Sequence, residues 1–136
     1  MDIDAAREFL RTNHRAVLAT RRRDGRPQMS PVAAAVDDAG DVVISSRETA
    51  IKTANLRRDP QASLCVISDG FYGDWIQADG TVEVESLPGA MEALVDYYRR
   101  VAGEHDDWDD YRAAMARERR VVLRLRIERA GPDRSG

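Results

Sequence analysis

The apolar positions of this chain change period several times, and each change marks an element. Within residues 4–12, Phe9 and Leu10 follow Ala5 at spacings of four and five, one face of a short helix. RAVLATRR (15–22) is rich in small and β-branched residues and reads as a strand. Asp24-Gly25 is a hairpin signal leading into a second strand, PQMSPVAAAV (27–36). Pro31 interrupts that strand and cannot donate to a ladder, so the strand is expected at a sheet edge or bulged near its middle. DDAG (37–40) turns the chain into DVVISS (41–46), which completes a three-strand meander.

Residues 50–58 are predicted helical, with Thr49 as N-cap and Asp59-Pro60 as the stop, since a residue before proline avoids the helical region. QASLCVIS (61–68) reads as a buried strand, and DGFYGD (69–74) as a turn. In WIQADGTVEVES (75–86), Val82 and Val84 alternate with outward Glu83 and Glu85. Pro88 suits the first turn of a helix on which Met91, Leu94, Val95 and Tyr98 form an apolar stripe. A second short helix covers 106–117. A last strand, 120–130, alternates Leu123, Leu125 and Ile127 with Arg124, Arg126 and Glu128. Six antiparallel strands with peripheral helices predict an α+β fold built on a barrel, as one domain over 1–136. No phosphate-binding glycine loop of the GxGxxG or GxxxxGK[ST] type is present.

Composition narrows the function classes. Hydrophobic residues are 43% and charged residues 33%, a globular balance. The net charge is −3, and the acidic run 104–110 offsets Arg21–Arg23 and Arg57–Arg58, so nucleic acid is not an expected partner. No run approaches 18 apolar residues and the N-terminus is charged from its second residue, so the expectation is a cytoplasmic protein with no membrane partner. The lone Cys65 excludes an internal disulfide framework and is expected to fill the core. His14 and His105 have no metal-ligand spacing, the acidic run lacks the glycine and terminal glutamate of a calcium loop, and Ser30 is not in a nucleophile elbow. Tyr97 and Tyr98 are expected at core or interface positions ahead of any proton-donor role.

The sharpest feature is SSRETAIKTANLRRDP (45–60). The chain has twenty arginines and one lysine, Lys52, near a helix start. A helix N-terminus offers free amides and a positive dipole end, and an ammonium adds a compact point charge suited to phosphate or carboxylate oxygens. Arg47 and Asn55 are expected to add donors. A solvated surface lysine is the plain alternative; the bias toward arginine argues against it. Phe71, Tyr72 and Trp75 crowd one turn and call for a cover, either a second subunit or a flat ligand.

Taken together, AVLATRRRDGRPQMSPV, KTANLRRDPQASLCV and RVAGEHDDWDDYRAAMARERRVVL resemble the split β-barrel flavin/deazaflavin oxidoreductases related to pyridoxamine 5′-phosphate oxidase, and within them the actinobacterial branch that binds coenzyme F420. The resemblance spans nearly the whole chain. It implies a homodimer with two cofactor sites at the interface. Gln28, Met29, Ser30 and Pro31 would lie along the cofactor ring. Ser45, Ser46 and Arg47 would approach the phosphate-bearing tail. Lys52 would pair with the phosphate beside Ile51 and Asn55. Tyr72, Gly73, Asp74 and Trp75 of the partner copy would cover the ring.

Two departures from the family pattern stand out. Ala50 occupies a position where some relatives carry an arginine, and the end, RAGPDRSG, lacks the substrate-binding arginine motif of the vitamin B6 phosphate oxidases. The missing motif disfavours oxidation of a vitamin B6 phosphate, and the resemblance implies hydride transfer from the reduced deazaflavin to an electron-poor C=C or C=N bond of a small organic substrate. FMN is the alternative cofactor, and a non-catalytic coenzyme carrier the alternative role. No residue is assigned as proton donor.

Overall fold

The computed structural model describes residues 1–70 and 72–133. The order is α1 (Ile3–Thr12), β1 (Arg15–Arg21), β2 (Pro27–Ala33), β3 (Ala35–Val36), β4 (Val42–Arg47), α2 (Ile51–Arg58), β5 (Gln61–Ile67), β6 (Trp75–Ser86), α3 (Met91–Ala102), α4 (Trp108–Arg117) and β7 (Arg120–Asp133). All strand pairs are antiparallel, in the order β2-β1-β5-β6-β7-β4-β3. The α+β class is as expected. The described residues form seven strands rather than six, because PQMSPVAAAV divides at Ala34. Its first part pairs with β1 and its second with β4, and Ala34 itself joins neither ladder. The sheet therefore curls until its two ends are one stretch of chain. Pro31 sits on β2, whose one ladder is with β1, so its missing N–H costs no sheet bond.

Period-two alternation sorts the side chains. Leu18, Ile44, Leu64, Ile76, Leu123 and Leu125 meet inside the curl with Ala6 and Leu10 of α1 and Leu56 of α2. Val43 and Val122 point the other way, onto Leu94, Val95, Tyr111 and Met115 of α3 and α4. A third surface, Val17, Ala19, Cys65 and Gln77, is half-buried and belongs to neither cluster. Cys65 is thus not core, contrary to expectation: Leu64 and Val66 take the inward positions, which turns Cys65 outward. Partial burial raises its thiol pKa.

Helix boundaries also shift. Ala50, not Thr49, holds the N-cap of α2, with no side-chain cap, because Ala50 N–H closes a turn onto Arg47 O at 3.1 Å. Pro88 precedes α3 rather than entering its first turn, and Asp107 caps α4 through Asp110 N–H. Gly80 is a forced glycine: a Cβ there would lie 2.0 Å from Arg126 O, at a β6–β7 register shift. No helix among the described residues is long and apolar enough to cross a membrane.

Candidate functional site

β2 and β4 are not hydrogen-bonded to each other. Beyond the crossing at Ala34 the two strands share no ladder, and the gap between their unpaired edges, termed the slot, is bordered by the two predicted cofactor segments. On β2, Ser30 and Gln28 are half-buried, whereas Pro31 is exposed and Met29 is 64% exposed. Ser30 pairs with inward-facing Leu18, and its Oγ is buried with no hydrogen-bond partner among the described residues. A buried hydroxyl without a partner costs stability unless a ligand or water completes it. Gln28 accepts from Thr20 Oγ1 at 3.3 Å and donates to Met29 O at 3.2 Å.

On β4, Ser45 is half-buried and Ser46 is buried. Thr53 donates its hydroxyl proton to Arg47 O at 2.7 Å, so Ser46 must donate to Thr53 Oγ1 at 3.0 Å. This chain of hydroxyls ties the first turn of α2 to the end of β4. Asn55 is buried too. It donates to Thr20 Oγ1 at 3.1 Å and accepts from Arg58 at 3.1 Å. Its polar atoms serve the joint between α2 and β1 rather than pointing at the slot.

Lys52 is half-buried and makes no ion pair among the described residues. Its pKa is lowered, first by burial, then by the nearby guanidiniums of Arg120 and Arg47. Arg120 and Arg47 are register partners on β7 and β4. They share one carboxylate, Glu118, at 2.8 Å from Arg120 and 3.7 Å from Arg47, and Arg120 holds that carboxyl below its ordinary pKa. Lys52 thus stands beside two guanidiniums that share one carboxylate, at the N-terminus of α2, which no side chain caps. Ile51, on the same turn, is 67% exposed. The missing charge and the free amides suit a phosphate.

The aromatic turn is elsewhere. Trp75 pairs with Ile67 at the end of β6, three strands from β2, on the order of 14 Å at the usual strand spacing. Tyr72 is 97% exposed, and Gly73 and Asp74 are also exposed. One chain therefore does not bring these four residues to its own slot. Phe71 lies outside the described residues. Arg120, Thr53 and Tyr97 were not foreseen in the site. They come from register and helix docking, and no local motif marks them.

The family model for pyridoxamine 5′-phosphate oxidase matches residues 3–132. The chain belongs to that family. Solved structures agree on the fold. Rv2991, a conserved hypothetical protein of Mycobacterium tuberculosis, is 24% identical with a TM-score of 0.77, over 96% of this chain and 82% of that one. A protein described as F420 reductase is 23% identical with a TM-score of 0.70, over 91% and 94%. A heme binding protein of Mycobacterium smegmatis is 21% identical with a TM-score of 0.70, over 94% of this chain and 52% of its own length.

The donor set fits a phosphate-bearing ring cofactor of the flavin or F420 type. Lys52 and the Arg47–Arg120 pair, with Glu118 as its one shared carboxylate, supply net positive charge, and the buried Ser30 hydroxyl on β2 has no partner among the described residues.

Proposed function

We propose that this protein is a coenzyme F420-dependent reductase acting on an electron-poor C=C or C=N bond of a small organic substrate. The observation that carries the reading is the half-buried Lys52, which has no ion pair among the described residues and stands beside Arg47 and Arg120 with a single shared carboxylate. In such surroundings a phosphate gains charge-assisted hydrogen bonds and relieves mutual repulsion among the cations. The β2 segment Gln28–Pro31 would lie along the ring, with Ser45 opposite. When bound, the reduced deazaflavin supplies the hydride. The chain's own contribution is to fix the tail through Lys52, Arg47 and Arg120, offer the Ser30 hydroxyl, and keep water from the slot.

The working unit in this reading is a homodimer. Two observations support it. Tyr72–Trp75 do not reach the slot of their own chain, and the third surface carries a groove of about 830 Å3 lined by Val17, Pro31, Val32, Ala33 and Ile67 among others. A second copy packed there would bury this apolar face and bring its turn over the slot. The test is oxidation of the reduced coenzyme, followed by its absorbance across a panel of enones and imines. Turnover supports the reductase. Tight binding without turnover on any acceptor points to the carrier role, and binding of FMN in preference to F420 replaces the cofactor assignment.

A further inference from the structure

Tyr97 meets β2 at its last residue, beside the crossing at Ala34. Its phenol donates to Ala33 O at 2.9 Å, and its helix, α3, packs against Val43 of β4 through Leu94 and Val95. Ala33 is the last residue of β2, and Val43 is the second residue of β4. Tyr97 therefore links β2 to a helix seated on β4, and the two strands share no ladder.

The crossing residue beside it is fixed independently. Ala34 N–H donates to His14 O at 2.8 Å, and the His14 ring Nδ1 meets Ala34 O at 2.9 Å. The chain is thus held at the crossing, and Tyr97 sets how quickly β2 and β4 part from there. The helix that presents Tyr97 is itself anchored by buried Leu94 and Val95 on Val43 of β4, so packing fixes the phenol relative to β4 and its hydrogen bond ties β2 to it.

We propose that Tyr97 is a positioning residue that fixes the β2–β4 spacing and so sets the fit of the planar ring, while Lys52, Arg47 and Arg120 hold the phosphate. The proposal rests on the cofactor reading above for its ligand, but not for the pin itself. Tyr97→Phe retains the ring packing and removes only the oxygen.

The test has two arms. In the first, hydrogen exchange is followed in the ligand-free protein. Amides of 28–33 and 43–47 should exchange about tenfold faster in Tyr97→Phe, the size of one hydrogen bond, while 61–67 and 75–82 stay unchanged. In the second, coenzyme F420 and inorganic phosphate are titrated separately into both proteins. F420 affinity should fall about tenfold and phosphate affinity stay within twofold. Unchanged exchange at both strand edges, or acceleration spread over the whole sheet, overturns the proposal. So does an equal loss of F420 and phosphate affinity. If the wild-type protein binds no ring coenzyme, the cofactor reading fails, and the exchange arm alone still decides whether Tyr97 pins the strands.

Discussion

The Asn55 side-chain amide donates to the Thr20 hydroxyl at 3.1 Å, and both groups are buried. This bond joins the middle of α2 to the end of β1, so it orients the helix that presents Lys52. Asn55→Ala leaves Thr20 without its donor and should cost about 1–3 kcal/mol in chemical denaturation. Phosphate affinity should fall as well, because the helix loses its seat. Unchanged stability would mean that α2 is held by Leu56 and the Thr53 hydroxyl alone.

Lys52→Ala should act in the opposite sense on the ligand-free protein. The Lys52 pKa is lowered in the folded chain, so its charge opposes folding wherever it is protonated in both states. That penalty is fully present below the lowered value and is relieved as pH rises toward the ordinary lysine value. At neutral pH the variant should therefore be as stable as wild type or slightly more so, by thermal melting. A loss of several degrees would make the ammonium structural.

Tyr111 gives a second pH signature. Burial pushes its phenol up to about 12, and it donates to Leu94 O at 2.8 Å. In the unfolded chain it ionises near its ordinary value of about 10. The folded state then holds a proton that the unfolded state has lost, so stability falls as pH rises from about 10 toward 12. Tyr111→Phe should flatten this alkaline limb and lower stability at neutral pH by about 0.5–1.5 kcal/mol. An unaltered limb in denaturant titrations at pH 9 to 12 would assign it to other groups.

Gly80→Ala tests the register of β6 against β7. The added methyl would meet Arg126 O at 2.0 Å, so one strand must move. The expected cost is large, more than about 3 kcal/mol, with loss of soluble protein in expression trials. Tolerance of alanine there would contradict the β6–β7 pairing.

Much of the fold was legible because alternation fixes which residues face inward: Leu123, Leu125 and Ile127 were placed from the sequence and lie in the core. The division at Ala34 was not legible, since nothing local in VAAAV marks a change of ladder partner. Cys65 was misplaced because SLCVI reads as a uniformly apolar run, although half of it faces outward. Lys52 was legible through composition and helix position. Its two guanidinium neighbours were only half so: Arg47 precedes it by five residues, but Arg120 arrives through a β4–β7 register that pairs residues 73 positions apart. Asn55 is expected beside the phosphate from its helix position and from the resemblance, but neither tells which side of the helix meets the sheet, and its side chain bonds Thr20 and Arg58.

Mixing two inactive variants tests the shared site. If Trp75 of one copy covers the slot of the other, Lys52→Ala and Trp75→Ala chains combined should form heterodimers with one intact site. Random exchange then restores about a quarter of the wild-type sites. No recovery, in a sample that native mass spectrometry shows to contain the heterodimer, would place both residues in one chain's site.

In the proposed reading, Lys52, Arg47 and Arg120 hold the phosphate of a ring cofactor. Calorimetric titration of the wild-type protein and Lys52→Ala with coenzyme F420 tests it most directly. The account predicts saturable binding by the wild type and an affinity loss of roughly tenfold to a hundredfold in the variant, as for hydrogen bonds to a charged group. Equal affinity in the two proteins, or no binding of F420 or FMN by either, would contradict it.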